Sequence, residues 1–304
     1  MAQISIGAAV GAGFGLIARR PLAVLAWGVI PVLLQAATLA LVAPLYISML
    51  GNLAAGGGAT PPTFGPQILQ FEGALQLFNL LQLAMSAVIY CAVFRAVLFP
   101  ERSSFAYMRV GAAELFLVVL IIGGFVAFFI GLLVVMIPVG ILIGVVAAVT
   151  HGTGVALAAL LPILMLVLMV GVLILSLRFV FVGPMMVEDG KFHLFESWTM
   201  TRGRVGSLFL LALCLLGVLL AAELVILIPF VGIAVAAIAA LGGIQPAVAL
   251  FQESPAAALA RLWPFLAAYV VLLIPISGCA TAILGAPWAR AYKDLAPDAS
   301  SVFA

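Results

Sequence analysis

"LFLVVLIIGGFVAFFIGLLVVMIPVGI", Leu115–Ile141, holds no charged residue and no amide side chain. About 20 apolar residues suffice for a helix to cross the hydrocarbon core of a bilayer. This stretch is longer than that, so it sets the class of the whole chain: a membrane protein. The rest of the sequence agrees. Of 304 residues, 67% are hydrophobic and 7% charged, and the mean hydropathy is +1.40. Soluble domains carry roughly 25% charged residues; with so few charges a soluble fold of this size could not cover its surface. The net charge is +2. No basic patch marks a nucleic-acid partner.

Outward from Leu115, five further apolar runs reach spanning length. The six expected spans are 22–50, 73–98, 111–137, 156–182, 206–229 and 263–287. The expected fold is an all-α polytopic membrane protein, one membrane domain over 1–304, with about six transmembrane helices as three helical hairpins plus interfacial amphipathic helices. The hairpins are 22–98, 111–182 and 206–287. An interfacial helix occupies 1–20, a connection with a second interfacial helix occupies 185–204, and 288–304 forms a tail.

Basic residues orient the spans. With both termini on one side, that side holds Arg19, Arg20, Arg95, Arg102, Arg109, Arg178, Lys191, Arg202, Arg204, Arg290 and Lys293, and the other holds Arg261 alone. The expectation is an inner (cytoplasmic) membrane location, multi-pass, with both termini cytoplasmic. Arg19 and Arg20 follow the first apolar run instead of preceding it, so no cleaved signal is expected. The run after them is also too long for a twin-arginine signal, so the pair reads as a charge anchor. Cys91, Cys214 and Cys279 lie in apolar runs without a CxxC and read as small buried hydrophobes.

The quoted run has a second copy, "LFLLALCLLGVLLAAELVILIPFVGI", from Leu208. Each copy reaches an Ile-Pro and then a Gly-Ile; Leu115 to Pro138 is 23 positions and Leu208 to Pro229 is 21. The apolar pieces after each proline are too short to span. They read as bent span ends or as short helices at the outer surface. Repeats of this kind frame transport sites in many membrane proteins, but duplication also makes inert bundles.

The most polar connection is "MMVEDGKFHLFESWTMTRGRV", from Met185. "VEDGKF" reads as a tight turn at Asp-Gly. "FHLFESWTMTRG" reads as a short helix ended by Gly203. Phe192, Phe195 and Trp198 fall three apart, beside Arg202 and Arg204. Aromatic rings next to cations suit the headgroup layer, so these five residues form the candidate interfacial anchor.

At "GPMMVEDGKFHLFESWTMTRGRVGSLFLL" the chain resembles the bacterial integral membrane family named for the membrane domain of glycerophosphoryl diester phosphodiesterases. Pro184, Gly190, Ser197, Trp198, Thr201, Arg202 and Gly203 carry the match, and "IGAAVGAGFGLIARRPLAVL" fits that family's opening. In relatives with activity, the resemblance implies chemistry in a separate soluble barrel, with a His and carboxylates around a metal. This sequence shows no such barrel. The resemblance therefore implies a stand-alone membrane module in a lipid-facing or accessory role.

Side-chain chemistry narrows the choices. "GAGFG" at 11–15 lacks the strand, helix start and acidic partner of a nucleotide loop. Gly7, Gly11 and Gly15 recur every four residues, as close helix packing wants. Glu188 and Asp189 beside His193 form a weak metal set and read as a solvated turn; His151 reads as a loop residue. No nucleophile–base pair stands out, so neither catalysis, cofactor nor metal is expected. Glu72, Gln76, Asn79, Gln82, Ser86 and Tyr90 fall within an arc of about 120° on the second span. They read either as the wall of a polar cleft or path, or as interhelical hydrogen bonds. Glu223, six residues before Pro229, is expected about 9 Å inside it, near the outer end of its span. Two readings stand for it: a partner such as Arg261 or a carbonyl freed by the proline, or a proton- or cation-handling group facing the stripe. The function expected is a non-catalytic module, lipid-associated or an accessory binding other membrane proteins. The alternative is a small transporter or channel using the polar face of span two. Membrane lipids are the expected partners, with other membrane proteins or a second copy as further candidates.

Overall fold

In hydrocarbon, backbone N–H and C=O groups have no water to bond, so the chain must satisfy them within each segment. The structure, a computed structural model, describes residues 4–54, 66–101, 105–149 and 154–296. Among these residues every regular element is helical. The order is α1 (Ile6–Arg19), α2 (Pro21–Ala54), α3 (Pro66–Leu98), a short turn Phe105–Tyr107, α4 (Ala112–Val149), α5 (Gly154–Arg178), α6 (Val182–Asp189), α7 (Leu194–Met200), α8 (Val205–Ala240), α9 (Ile244–Glu253) and α10 (Pro255–Leu295). Six stretches are long and apolar enough to cross a membrane, one at each expected span. The protein is an all-α polytopic membrane protein.

Helix ends depart from the expected spans at the prolines. α4 runs through Pro138 to Val149 and α8 through Pro229 to Ala240, so the apolar pieces after each proline are span ends, not separate helices. A proline removes one N–H, which a long apolar helix tolerates where nothing better competes for its backbone. α8 stops at Gly242 and Gly243, both at positive φ. α10 begins at Pro255 under Ser254, whose Oγ accepts the N–H of Ala257 at 3.4 Å. It continues to Leu295, which corrects the tail expected from 288. Arg290, Lys293 and Asp294 share one face and invite a tail reading. The other face carries Ala289, Tyr292 and Leu295 into the core.

The core sits at one end of the bundle, here called the basic end. Three buried clusters share it. One joins Ala9 to Phe181, Leu208, Leu211 and Tyr292; one joins Trp27 to Val93, Tyr107 and Ala286; one joins Cys91 and Phe94 to Val182, Met186 and Ala289. Consecutive spans do touch, as hairpins would. The most extensive contact, however, is between α2 and α10, and α10 also touches α1, α3, α6, α8 and α9. Glycines allow it. A Cβ on Gly28 would lie 2.0 Å from the Ile274 carbonyl oxygen, and one on Gly278 would lie 2.0 Å from that of Val24. The two backbones therefore meet directly.

α1 is no isolated interfacial helix. It packs on α10 through Ala9, Gly13 and Leu16. The glycines expected to make that contact, Gly7, Gly11 and Gly15, have open space where a Cβ would be. Gly13 makes it instead: a Cβ there would lie 2.8 Å from the Ile283 Cα. A run as glycine-rich as this offers more than one four-residue register, and only the partner selects among them.

Candidate functional site

The polar stripe of span two divides along its length. Glu72, Gln76 and Asn79 are exposed, while Gln82, Ser86 and Tyr90 are half-buried. Gln82 Nε2 donates to Gln35 Oε1 of α2 at 3.4 Å, Ser86 Oγ donates to the Gln82 carbonyl at 2.8 Å, and the Tyr90 ring sits 6.4 Å from that of Phe94. Of these contacts the Gln82–Gln35 bond joins α3 to α2, while those of Ser86 and Tyr90 lie within α3. Gln35 is the single amide of α2's apolar run, which was its only signal.

Glu223 does not meet Arg261. Among the described residues both are exposed and neither forms an ion pair. The Phe230 ring rests on Tyr269 at 4.8 Å. From that antiparallel contact Glu223 lies seven residues toward the basic end and Arg261 eight residues away from it, about 22 Å apart at 1.5 Å per residue. Because α8 continues past Pro229, Glu223 is the nineteenth of its 36 residues, at mid-helix and not at an outer end.

The helix of the candidate anchor is held by its neighbours. Ser197 and Thr201 are fully buried; Ser197 Oγ donates to the Arg178 carbonyl at 2.8 Å, and Thr201 Oγ1 donates to the Ser197 carbonyl at 2.9 Å and lies 3.4 Å from that of Arg178. The Arg178 guanidinium lies 5.0 Å from the Trp198 ring centre, and Phe179 packs against the same ring at 5.7 Å. Phe192 meets Phe116 at 6.2 Å. α7 is thus fastened to the end of α5; Phe195 is 81% exposed, and Trp198, though stacked on Arg178, and Phe192, just before the helix, are also exposed. Arg202 is exposed, and Arg204 donates to the Met200 carbonyl at 3.4 Å. Arg178 was legible only as a charge; its pairing with the aromatic helix was not.

The acidic turn is corrected too. Glu188 and Asp189 close α6, and only Gly190 takes the left-handed conformation, at φ 71°. Glu188 accepts the Tyr292 hydroxyl and so ties α6 to α10. Asp189 and Glu196 both meet His193. Among the described residues no group of three His, Cys, Asp or Glu side chains could hold a metal. His151 and Arg102 lie outside the described residues.

Two features of the basic end were not anticipated. Arg95 of α3 pairs with Glu114 of α4, which is 3% exposed, and donates to the Tyr107 carbonyl at 3.3 Å. Trp27 Nε1 donates to the Ala106 carbonyl at 2.9 Å and the Tyr107 hydroxyl to that of Pro100 at 3.0 Å. These bonds hold Ala106 and Tyr107 at φ 55° and 61°, which non-glycine residues adopt only under constraint. Beside this turn an open groove of about 630 Å³ runs between α1, the end of α3 and the last turns of α10. Arg19, Arg20, Arg290 and Lys293 line it, and among the described residues no acidic one does.

No family model, curated protein or solved structure matches the chain.

Proposed function

We propose that this protein is a non-catalytic, lipid-associated module of the inner membrane, with its basic end in the cytoplasm. The observation that supports this is the anchor on α7. A loop helix held only by its own hydrogen bonds would let its aromatics turn inward. Here buried Ser197 and Thr201 and the stacked Arg178 fix one face, so Phe195 and Trp198 are held outward beside the ends of two spans. Aromatic rings with cations at span ends favour the headgroup level. The excess of basic residues at the same end supports a cytoplasmic orientation. The resemblance to the phosphodiesterase membrane domain fits this reading as a stand-alone or accessory role.

Depth-dependent quenching tests it. In proteoliposomes carrying lipids brominated at different depths, the fluorescence component removed by Trp198→Phe should be quenched best by shallow bromines. A component quenched only by an aqueous quencher would overturn the reading. The alternative, a small transporter or channel, rests on the exposed upper half of the stripe, Glu72, Gln76 and Asn79. It requires a solute flux in proteoliposomes that Asn79→Leu abolishes.

A further inference from the structure

We propose that the groove between α1 and the end of α10 binds the phosphate of an anionic lipid headgroup. This rests on the lipid-associated reading for the level at which the groove sits.

Cations near helix C-termini have an ordinary explanation, since they neutralise the helix dipole. The charges here exceed that need. Arg19, Arg20, Arg290 and Lys293 converge on one groove. Against them stand Asp294, 3.1 Å from Arg290 Nε, and the ends of α1, α3 and α10, roughly half a negative charge each. About one and a half positive charges remain. Arg19 and Lys293 in particular form no ion pair among the described residues. Among the described residues Arg20 reaches the Pro100 carbonyl, at 3.4 Å, and no carboxylate.

Shape supports the same ligand. Gly11 and Gly15 line the groove and have nothing within 4 Å of their Cβ positions, so a ligand can approach the α1 backbone. The volume is that of a small-molecule site. Next in the chain to the lining residues, Phe14 is one residue from Gly15 and Leu22 two from Arg20, and both are exposed. Apolar surface beside a cationic groove suits a lipid, whose acyl chains need somewhere to lie, better than a free phosphate.

The test uses the full chain released from nanodiscs of mixed phosphatidylglycerol and phosphatidylcholine, with retained lipid counted by native mass spectrometry. Phosphatidylglycerol should be retained selectively. The double variant Arg19→Gln, Lys293→Gln should lose roughly 30-fold in that selectivity, from about fivefold for each basic residue near an anionic surface. Unchanged selectivity in this variant overturns the proposal. Gly15→Leu fills the groove and keeps every cation, so it gives the same answer where the charge variant fails to fold. Inorganic phosphate separates the two sources. Displacement of bound phosphatidylglycerol by phosphate supports the site; phosphate binding with no lipid selectivity overturns the lipid as ligand. Shallow quenching of Trp198 without headgroup selectivity sinks this site and leaves the lipid-associated reading standing. Loss of both sinks that reading as well.

Discussion

The basic end and the far half of the same helices are written in one alphabet of Gly, Ala, Leu and Val, and they behave differently. At the basic end Gly13, Gly28, Gly278 and Gly285 each lie where an added Cβ would strike a neighbour closer than 3 Å. In the far half of α4, Gly131, Gly140 and Gly144 meet nothing within 4 Å, and Ile137 is 65% exposed. Lipid tails are as apolar as leucine, so hydrophobicity does not pull spans together. Contact needs matching backbone surfaces and polar pins, and among the described residues the basic end has both. The far half offers apolar side chains to the bilayer.

The two ends should respond differently to matched substitutions. The widest separation is expected between two acids. Glu114→Ala leaves half-buried Arg95 without its carboxylate and should cost up to about 3 kcal/mol. Glu223→Gln, at an exposed and unpaired site, should leave the thermal midpoint in detergent unchanged or raised. A fall for Glu223→Gln as deep as that for Glu114→Ala would break the comparison. Next come two glycines. Gly278→Ala drives a methyl into the Val24 carbonyl and should cost about 1–3 kcal/mol. Gly131→Ala meets open space and should be neutral or stabilising by up to about 1 kcal/mol. Equal midpoints for this pair would show that the α2–α10 crossing is looser than described.

Two smaller effects sharpen the boundary. Ser197→Ala removes one donor to the Arg178 carbonyl, for about 1 kcal/mol, and should speed amide hydrogen exchange across 194–204. No change there would mean that α7 is held by its aromatic contacts alone. The smallest effect is expected for Gln82→Leu, about 0.6 kcal/mol for one interhelical hydrogen bond. A loss several times larger would restore the lower stripe as part of a polar path.

The candidate site was legible unevenly, and the residues show why. The anchor could be read from Phe192, Phe195 and Trp198 because an amphipathic pattern is local. Its fastening to Arg178 could not, since that contact links residues about 20 apart across a break in the helix. The face of the stripe followed from helical geometry, but its division at Gln82 depended on where Gln35 lay. Glu223 was misplaced because Pro229 looked like a span end. The groove escaped notice because Arg19 and Arg20 sit about 270 residues from Arg290 and Lys293, and nothing between them marks the meeting.

What the sequence determined by itself is the number of spans, their helical form and the short aromatic helix between the fourth and fifth. Transfer of a residue from water to hydrocarbon is a local, nearly additive quantity, so a run of 20 residues reports it without a partner. What only the tertiary structure decided is which glycines touch, which acid is paired and which cations converge. Those depend on the complementarity of two surfaces such as Gly28 and Gly278, which hydropathy weighs the same as any glycine pair that never meets.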